Sequence, residues 1–285
     1  MKLVRFLFDD QAHAGVLSGQ GVVPVSEINA RCGTAIPNDL LGIIRLGELE
    51  PLGEACRLEA IPAGNVKLLL PYEVPPKIWC IGLNFRSHAE DLGTEQPEEP
   101  GSFLKPASCL FPPGGEIVLP PPEISSDVDA EGELGVIIGR RCRYVPADHV
   151  REVIFGYTTT LDLTALDVLR RNPRYLTRAK SIDTFFSFGP VIVTADEIAE
   201  PEALEVITEH NGAVWSRDFV RNMRHSPFEL VRFHSDYFTL EPGDLISTGC
   251  PKGARIRAGD RVRARIEGIG ALEATVRQGR REPLY

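Results

Sequence analysis

Near the middle of the chain stands the acidic segment Ser125-Ser126-Asp127-Val128-Asp129-Ala130-Glu131-Gly132-Glu133-Leu134, which runs directly into the apolar segment Gly135-Val136-Ile137-Ile138-Gly139. Successive side chains of a β-strand point to opposite faces, so Glu131 and Glu133 lie on the same side. Two carboxylates a few ångström apart repel each other, and one keeps its proton unless a cation lies between them. The apolar run predicts that the strand enters a core, where unpaired charges are costly. The segment is therefore either a solvated acidic face or a site for a hard cation such as Mg²⁺, Mn²⁺ or Ca²⁺.

Length and composition limit the kind of protein that this can be. The chain has 285 residues, of which 43% are hydrophobic and 25% are charged, so one large domain or two unequal ones can bury a substantial core. The 26 glycines and 23 prolines favour many turns and short strands over a helical bundle. The formal net charge of −9 argues against nucleic acid as a partner.

Targeting signals and cysteine usage indicate the compartment. No apolar run approaches the length of a membrane span, and the N-terminus lacks a signal-peptide layout, so we expect a soluble, cytoplasmic protein with no membrane partner. The six cysteines are scattered, without a C-x-x-C pair. This spacing is typical of free thiols in a reducing compartment and not of a zinc site or a disulfide framework.

Prolines divide the chain into two unequal parts. Pro71, Pro75 and Pro76 interrupt the sequence after a weakly patterned stretch. We therefore expect a small accessory domain over residues 1–71 and a main domain over residues 76–285.

The local patterns predict a series of short elements. Two strands are expected around the turn Ser18-Gly19-Gln20-Gly21, over 3–8 and 14–25. Further along, the patterns predict a strand at 77–81, a short helix or ordered loop at 84–92, a loop at 95–101, irregular chain around Lys105-Pro106, a strand at 156–161 that places Asp162 at its end, a hairpin turn at Asn211-Gly212 and a capping box at Ser226 that begins a helix.

The order of several motifs resembles the fumarylacetoacetate hydrolase family over roughly residues 76 to 276. The motifs are Gly82-Leu83-Asn84-Phe85 with His88, Asp129 to Leu134, Gly156-Tyr157 with Asp162, Lys180-Ser181-Ile182-Asp183-Thr184-Phe185, Gly189-Pro190, Asn211-Gly212 and Leu240-Glu241-Pro242-Gly243-Asp244-Leu245-Ile246-Ser247-Thr248-Gly249. The resemblance implies an α+β, mostly β fold, a twisted mixed-sheet roll or barrel with a small N-terminal domain. It also implies a homodimer.

The resemblance assigns a metal site to the acidic strand. Glu131, Glu133 and Asp162 match the family's metal ligands, which implies Mg²⁺ or Mn²⁺ as cofactor, with Ca²⁺ as a further option. Without the resemblance, Asp162 could equally be a turn residue. Lys180 matches a lysine that holds substrate at the metal; its alternative is an exposed surface lysine.

A histidine and a carboxylate complete the catalytic set that the resemblance implies. His88 matches a catalytic histidine on a segment that orders over the site and can activate water near neutral pH. Asp91 follows three residues later, so on a helix the two side chains share a face. Family hydrolases usually have Glu at this position, and Asp is one methylene shorter.

Several positions concern the substrate. Contacts are implied for Phe85, Arg86, Lys105, Gly249 and Cys250. Cys250 stands where the family has a threonine hydroxyl, and a thiol is a weaker donor. As a nucleophile, Cys250 would need a base, and none is assignable. Leu166 replaces a frequent Arg and Trp215 a frequent Gln, which together indicate a less polar or reshaped pocket.

The expected function is metal-dependent hydrolysis of a C–C bond in an acylpyruvate-type 2,4-diketo acid. The metal would hold the keto acid end, His88 with Asp91 would direct water at the distal carbonyl, and pyruvate enolate would leave, stabilised by the metal and Lys180. The same enolate chemistry serves oxaloacetate-type decarboxylases, heptadienedioate isomerases and 2-keto-3-deoxy sugar acid dehydratases. A non-catalytic metal-binding or small-molecule-binding protein is the remaining alternative.

Overall fold

The computed structural model describes residues 1–281. Its strands are β1 (Lys2–Phe8), β2 (Gln11–Ser18), β3 (Gly21–Pro24), β4 (Lys67–Leu68), β5 (Ile78–Gly82), β6 (Gly101–Lys105), β7 (Glu116–Leu119), β8 (Val128–Ile138), β9 (Ile154–Ala165), β10 (Phe186–Phe188), β11 (Val191–Thr194), β12 (Glu205–His210), β13 (Ala213–Phe219), β14 (Leu245–Ser247), β15 (Ala254–Ile256), β16 (Arg261–Ile266) and β17 (Gly270–Gln278). Its α-helices are α1 (Val25–Cys32), α2 (Leu40–Leu46), α3 (Arg86–Asp91), α4 (Val150–Val153), α5 (Leu166–Arg171), α6 (Leu176–Lys180) and α7 (Pro227–Tyr237). Short 3-10 helices lie at Glu50–Arg57, Ala63–Asn65, Ala107–Cys109, Ala147–His149, Ala195–Glu197, Pro201–Ala203 and Val220–Asn222.

The strands form two mixed sheets. The larger has the order β3-β2-β1-β11-β9-β8-β14-β5-β6, with β10, β15 and β4 paired beside this path, and the smaller has the order β13-β12-β16-β17-β7. Most neighbours are antiparallel, but β14 pairs with β5 and β17 with β7 in parallel. The α+β, mostly β fold expected from the sequence is confirmed.

The antiparallel pair β8–β9 lies at the centre of the larger sheet. Every residue of both strands is buried, because the smaller sheet packs against them. Gly132 permits this close packing, since a Cβ there would lie 2.7 Å from Thr208 Oγ1. A buried pair of long strands thus carries the acidic segment into the core.

Local sequence signals explain the turns and caps. Asn211 and Gly212 both have positive φ, as the two-residue hairpin between β12 and β13 requires. Ser226 and Glu229 form the expected reciprocal capping box at the start of α7. The segment after β5 contains the expected short helix, α3.

Three sequence predictions were wrong. Residues 14–25 do not form one strand, because the turn at Ser18-Gly19-Gln20-Gly21 lies within them and separates β2 from β3. Asp162 does not end its strand, because β9 continues to Ala165 and keeps pairing with β8 as far as Val128. Lys105 does not lie in irregular chain: it is the last residue of β6, which pairs with β5 along its whole length. The errors at Asp162 and Lys105 arose because each is a polar residue at the end of an apolar run, yet strand pairing buries it.

The first seventy residues join the larger sheet. β1 hydrogen-bonds to β11 through Lys2–Val4, and β2, β3 and β4 extend the sheet from there. The division into domains at residues 71–76 stays a prediction. No helix within residues 1–281 is long and apolar enough to cross a membrane.

Gly156 offers a test of the contact between β9 and β11. A Cβ at Gly156 would lie 2.2 Å from the carbonyl oxygen of Val193, a clash with backbone that no side-chain rotation relieves. We expect Gly156→Ala to lower the free energy of unfolding by at least about 2 kcal/mol, in the upper part of the usual overpacking range. Urea unfolding measures this change. Gly19→Ala, where nothing lies within 4 Å, is the control and should change stability little; equal stability of both variants would contradict the packing.

Candidate active site

Three buried carboxylates meet where β8 and β9 pair. Glu131 is directly opposite Asp162 in the register, and Glu133 lies two residues further along β8 on the same face. An oxygen atom from each of the three lies within 4.8 Å of the others. None of the three side chains is more than a few per cent exposed. The strand period and the register of β8 with β9 therefore bring together the three residues that the family resemblance implied as metal ligands.

Two lysines compensate this negative charge. Lys180, the last residue of α6, donates to Glu131 Oε2 at 2.9 Å and to Asp162 Oδ2 at 2.8 Å. Lys105 Nζ lies 2.5 Å from Asp162 Oδ1, but its hydrogen bonds go to the carbonyl oxygens of Leu163 and Phe185. Each oxygen of the Asp162 carboxylate is therefore in contact with one lysine ammonium group.

Neutral donors fix the orientation of the two glutamates. The Thr164 hydroxyl donates to Glu131 Oε1. Glu133 Oε2 accepts from the Ser247 hydroxyl at 2.5 Å and from the Gly249 backbone N–H at 2.9 Å. Gly249 has a φ of 97°, which favours glycine, and a Cβ there would lie 2.9 Å from Asn84 Cβ. These donors hold the carboxylates in place before any ligand binds.

The crowding of charges drives the pKa values of the cluster apart. Burial, with Asp162 and Glu131 beside it, raises the pKa of Glu133 to about 8. Burial also acts to raise the pKa of Glu131, but Lys180 and His88 outweigh it, and that pKa is lowered. The pKa of Lys180 is raised, since the attraction of Asp162 and Glu131 exceeds the effect of burial. Near neutral pH the metal-free cluster thus contains a protonated Glu133 and a charged Lys180.

His88 lies beside this cluster on α3. Its side chain is 7% exposed, and Nδ1 is buried without a hydrogen-bond partner among the described residues. Burial lowers the pKa of the imidazole, although the nearby Glu131 acts in the opposite direction. The ring is therefore neutral near pH 7 and can accept a proton.

The predicted partner of His88 points elsewhere in this structure. Asp91 does share α3 with His88, but its Oδ1 forms an ion pair with Lys252 Nζ at 2.6 Å. No hydrogen bond joins the two side chains in the described part of the chain, as the free Nδ1 indicates. The dyad stays a prediction for a substrate-bound state.

The structure separates the other substrate-binding candidates into two groups. Lys105, Gly249 and Cys250 lie at the cluster, the thiol within 4.8 Å of donor atoms of His88 and Glu131. Phe85 is fully buried in the apolar core, and Arg86 is largely exposed and pairs with Glu90 at 2.8 Å.

Two departures from the family pattern occupy different environments. Leu166 begins α5 and is buried. Trp215 is half exposed, and its Nε1 donates to the Gly253 carbonyl at 2.8 Å. Trp215 therefore anchors the loop that follows Cys250.

Sequence reasoning missed several residues that orient the site. Thr164 lies two residues after Asp162, so the same period of two that grouped the glutamates would have placed it on the site face. Asp129 lies two residues before Glu131 and accepts from Arg255 Nε at 2.7 Å. Ser247 lies within a motif quoted for the resemblance, but nothing in its spacing pointed to Glu133.

Comparison of the sequence with known proteins relates this chain to one family. The pattern of the family described as Fumarylacetoacetate (FAA) hydrolase C-terminal matches residues 77–277. The mitochondrial oxaloacetate tautomerase FAHD2A of Bos taurus is 33% identical over 287 residues, which cover 95% of this chain and 90% of the relative.

Solved structures agree with the sequence comparison. Maleylpyruvate hydrolase from Sphingobium sp. SYK-6, in complex with manganese(II) ion and pyruvate, superposes with a TM-score of 0.79 and is 29% identical, covering 98% of this chain and 100% of that one. The 2-hydroxyhepta-2,4-diene-1,7-dioate isomerase from Mycobacterium marinum gives a TM-score of 0.76 at 32% identity, with 98% of each chain covered. The similar proteins thus differ in the reactions that they are named for.

The raised pKa of Glu133 predicts that metal binding releases a proton. Below about pH 8 the free protein carries this proton, and a cation must displace it, so the affinity for Mn²⁺ should rise by up to about tenfold per pH unit between pH 6 and 8 and then level off. Titration calorimetry at pH 7 in two buffers of different ionisation enthalpy measures the released proton. Glu133→Gln should bind more weakly and without this release. Binding by the unmutated protein with no proton released would contradict the assignment.

Proposed function

This chain belongs to the fumarylacetoacetate hydrolase family, and we propose that it is a divalent-metal-dependent enzyme that hydrolyses a C–C bond in an acylpyruvate-type 2,4-diketo acid. The observation that carries the proposal is the buried, neutral His88, whose ring lies beside a carboxylate–lysine cluster and whose Nδ1 has no hydrogen-bond partner among the described residues. A general base and a preorganised charged site in contact are what hydrolysis through an enolate requires.

The donor set fits a hard divalent cation. Glu131, Glu133 and Asp162 offer only carboxylate oxygens, the ligands that Mg²⁺ and Mn²⁺ prefer. Burial, with Asp162 and Glu131 beside it, raises the pKa of Glu133, and a bound cation would compensate this crowded negative charge. The manganese in the similar maleylpyruvate hydrolase supports the same choice. When bound, such an ion supplies Lewis-acid stabilisation of negative charge on a substrate keto oxygen.

Lys180 and His88 have complementary roles in the reaction. Lys180 stays charged, so it attracts the substrate carboxylate and stabilises the enolate oxygen that forms as the bond breaks. His88 takes a proton from water, whose oxygen attacks the distal carbonyl. The electron pair of the broken C–C bond passes to the pyruvyl fragment, and His88 returns its proton to that carbon. The products are a carboxylic acid and pyruvate.

Enol–keto tautomerisation of oxaloacetate is the second candidate, and one contact favours it. Asp91 pairs with Lys252, so in this structure no carboxylate orients the His88 ring for attack by water. Moving a proton between carbon and the enol oxygen needs one acid–base group and no water. The similarity to mitochondrial oxaloacetate tautomerases supports this alternative.

Replacing His88 tests its role as the base. His88→Ala should lower kcat for acylpyruvate hydrolysis by about a hundredfold or more, the usual worth of a positioned general base. Steady-state release of pyruvate with added Mn²⁺ is the measurement. His149→Ala removes an exposed histidine and should leave kcat unchanged. Unaltered hydrolysis by His88→Ala would overturn the proposal.

Replacing Lys252 distinguishes between hydrolysis and tautomerisation. Lys252→Met frees Asp91 to reach the ring of His88, so hydrolysis should rise by up to about tenfold, equivalent to roughly 1.4 kcal/mol in the barrier. Asp91→Asn should lower hydrolysis both alone and in combination with Lys252→Met. If the unmutated enzyme tautomerises oxaloacetate and leaves acylpyruvates untouched, the second candidate replaces the first.

A further inference from the structure

A second group of donor atoms lies next to the carboxylate cluster. One ring nitrogen of His88, Sγ of Cys250 and a carboxylate oxygen of Glu131 lie within 4.8 Å of one another. The three residues come from α3, from the loop after β14 and from β8, and all are buried. We infer that they form a site for a soft divalent cation such as Zn²⁺, separate from the all-oxygen site and sharing only Glu131 with it.

The donors have the free valences that such a site requires. The His88 side chain is more than nine-tenths buried, and its Nδ1 has no hydrogen-bond partner within residues 1–281. Buried polar atoms in proteins are nearly always paired, so an unpaired nitrogen on an imidazole ring that lies beside a thiol and a carboxylate points to a missing ligand. Cys250 Sγ likewise makes no hydrogen bond within residues 1–281.

The spacing and chemistry of the donors select zinc. Zinc is about 2.3 Å from sulfur and about 2.0–2.1 Å from imidazole nitrogen, so tetrahedral ligand atoms lie roughly 3.5 Å apart. The donors, at most 4.8 Å apart, would therefore approach by no more than about 1.3 Å, a distance within reach of side-chain rotation. Thiolate and imidazole favour Zn²⁺ over Mg²⁺ or Mn²⁺, which prefer oxygen. Three protein ligands leave a fourth position for water or substrate.

The thiol becomes a ligand only when the cation arrives. The thiolate is the form of a cysteine side chain that binds a metal. A coordinating Zn²⁺ displaces the thiol proton into solvent. A threonine hydroxyl, which the family pattern has at this position, could not provide this soft ligand, so the site depends on the cysteine of this chain.

Occupation of the second site would inhibit the reaction proposed above. His88 bound to zinc cannot accept a proton from water. This consequence rests on the proposed role of His88. Zinc binding itself does not.

Cobalt spectroscopy tests the site directly. The experiment uses the full chain with Cys32→Ser and Cys56→Ser, which remove the two exposed thiols, and with saturating Mg²⁺. Co²⁺ should produce a thiolate-to-cobalt charge-transfer absorption that Zn²⁺ then abolishes. Adding Cys250→Ser should remove the absorption and weaken Zn²⁺ binding by about a hundredfold or more, since even an outer-sphere partner is worth roughly 10- to 100-fold. Adding Cys142→Ser instead should change neither, because this half-buried thiol lies beside Leu240.

Several results would overturn the inferred zinc site. An absorption that survives Cys250→Ser, or a zinc affinity unchanged by both Cys250→Ser and His88→Ala, would overturn the inference. Glu133→Gln should weaken the binding of Mg²⁺ and leave the binding of Zn²⁺ unchanged. If this variant loses both ions, zinc binds only to the carboxylates, and the inference fails. If the variants do not fold, X-ray absorption of the zinc-loaded parent protein decides, with one sulfur at about 2.3 Å expected and an all-oxygen and nitrogen shell contradicting it. Loss of hydrolysis in His88→Ala is measured separately, so the zinc site and the proposed function can fail independently.

Discussion

Burial of like charges on two neighbouring strands is the constraint on which the rest of the site depends. Glu131, Glu133 and Asp162 are almost completely removed from water on one face of β8–β9, where each uncompensated carboxylate would cost several kcal/mol by the usual estimates for buried ions. Two lysines bring positive charge into the same layer, and hydroxyl and backbone donors satisfy the remaining oxygens. Such an arrangement is a poor way to stabilise a fold, because apolar residues of similar volume would do at least as well. Its retention indicates that the charges serve the chemistry.

The fold supplies these compensating groups from distant parts of the chain. Lys105 arrives at the end of β6, the edge strand of the larger sheet, and Lys180 at the end of α6. Ser247 and Gly249 come from β14 and the loop after it, which pair with β8 on its other side. The second sheet covers the strands closely enough to exclude water. The position of each donor is therefore a consequence of strand order, and the site would not survive a different order of the same strands.

This explains how much of the site the sequence could predict. The period of two places Glu131 and Glu133 on one face, and the motif order supplies Asp162, Lys180 and His88 as a resemblance. Strand register between distant segments has no local signature, so the sequence placed Lys105 in irregular chain and gave no indication of Ser247. The Asp91–Lys252 ion pair was missed for the same reason. The sequence of one strand or helix predicts which of its side chains share a face, whereas the pairing of one element with another depends on the assembled core.

The same burial also divides the acid–base roles within the site. An ammonium between two carboxylates becomes harder to deprotonate, so Lys180 stays charged, whereas an imidazole at the edge of the cluster loses more from burial than it gains from Glu131 and stays neutral. One environment thereby holds a permanent cation beside a base that can take a proton, because the pKa values of its groups are pushed apart. Cys250 belongs to this balance too, because burial, with Glu131 and Glu133 nearby, raises the pKa of its thiol. A soft cation would reverse that balance by binding the base and the thiol together, which makes the position of Cys250 chemically consequential.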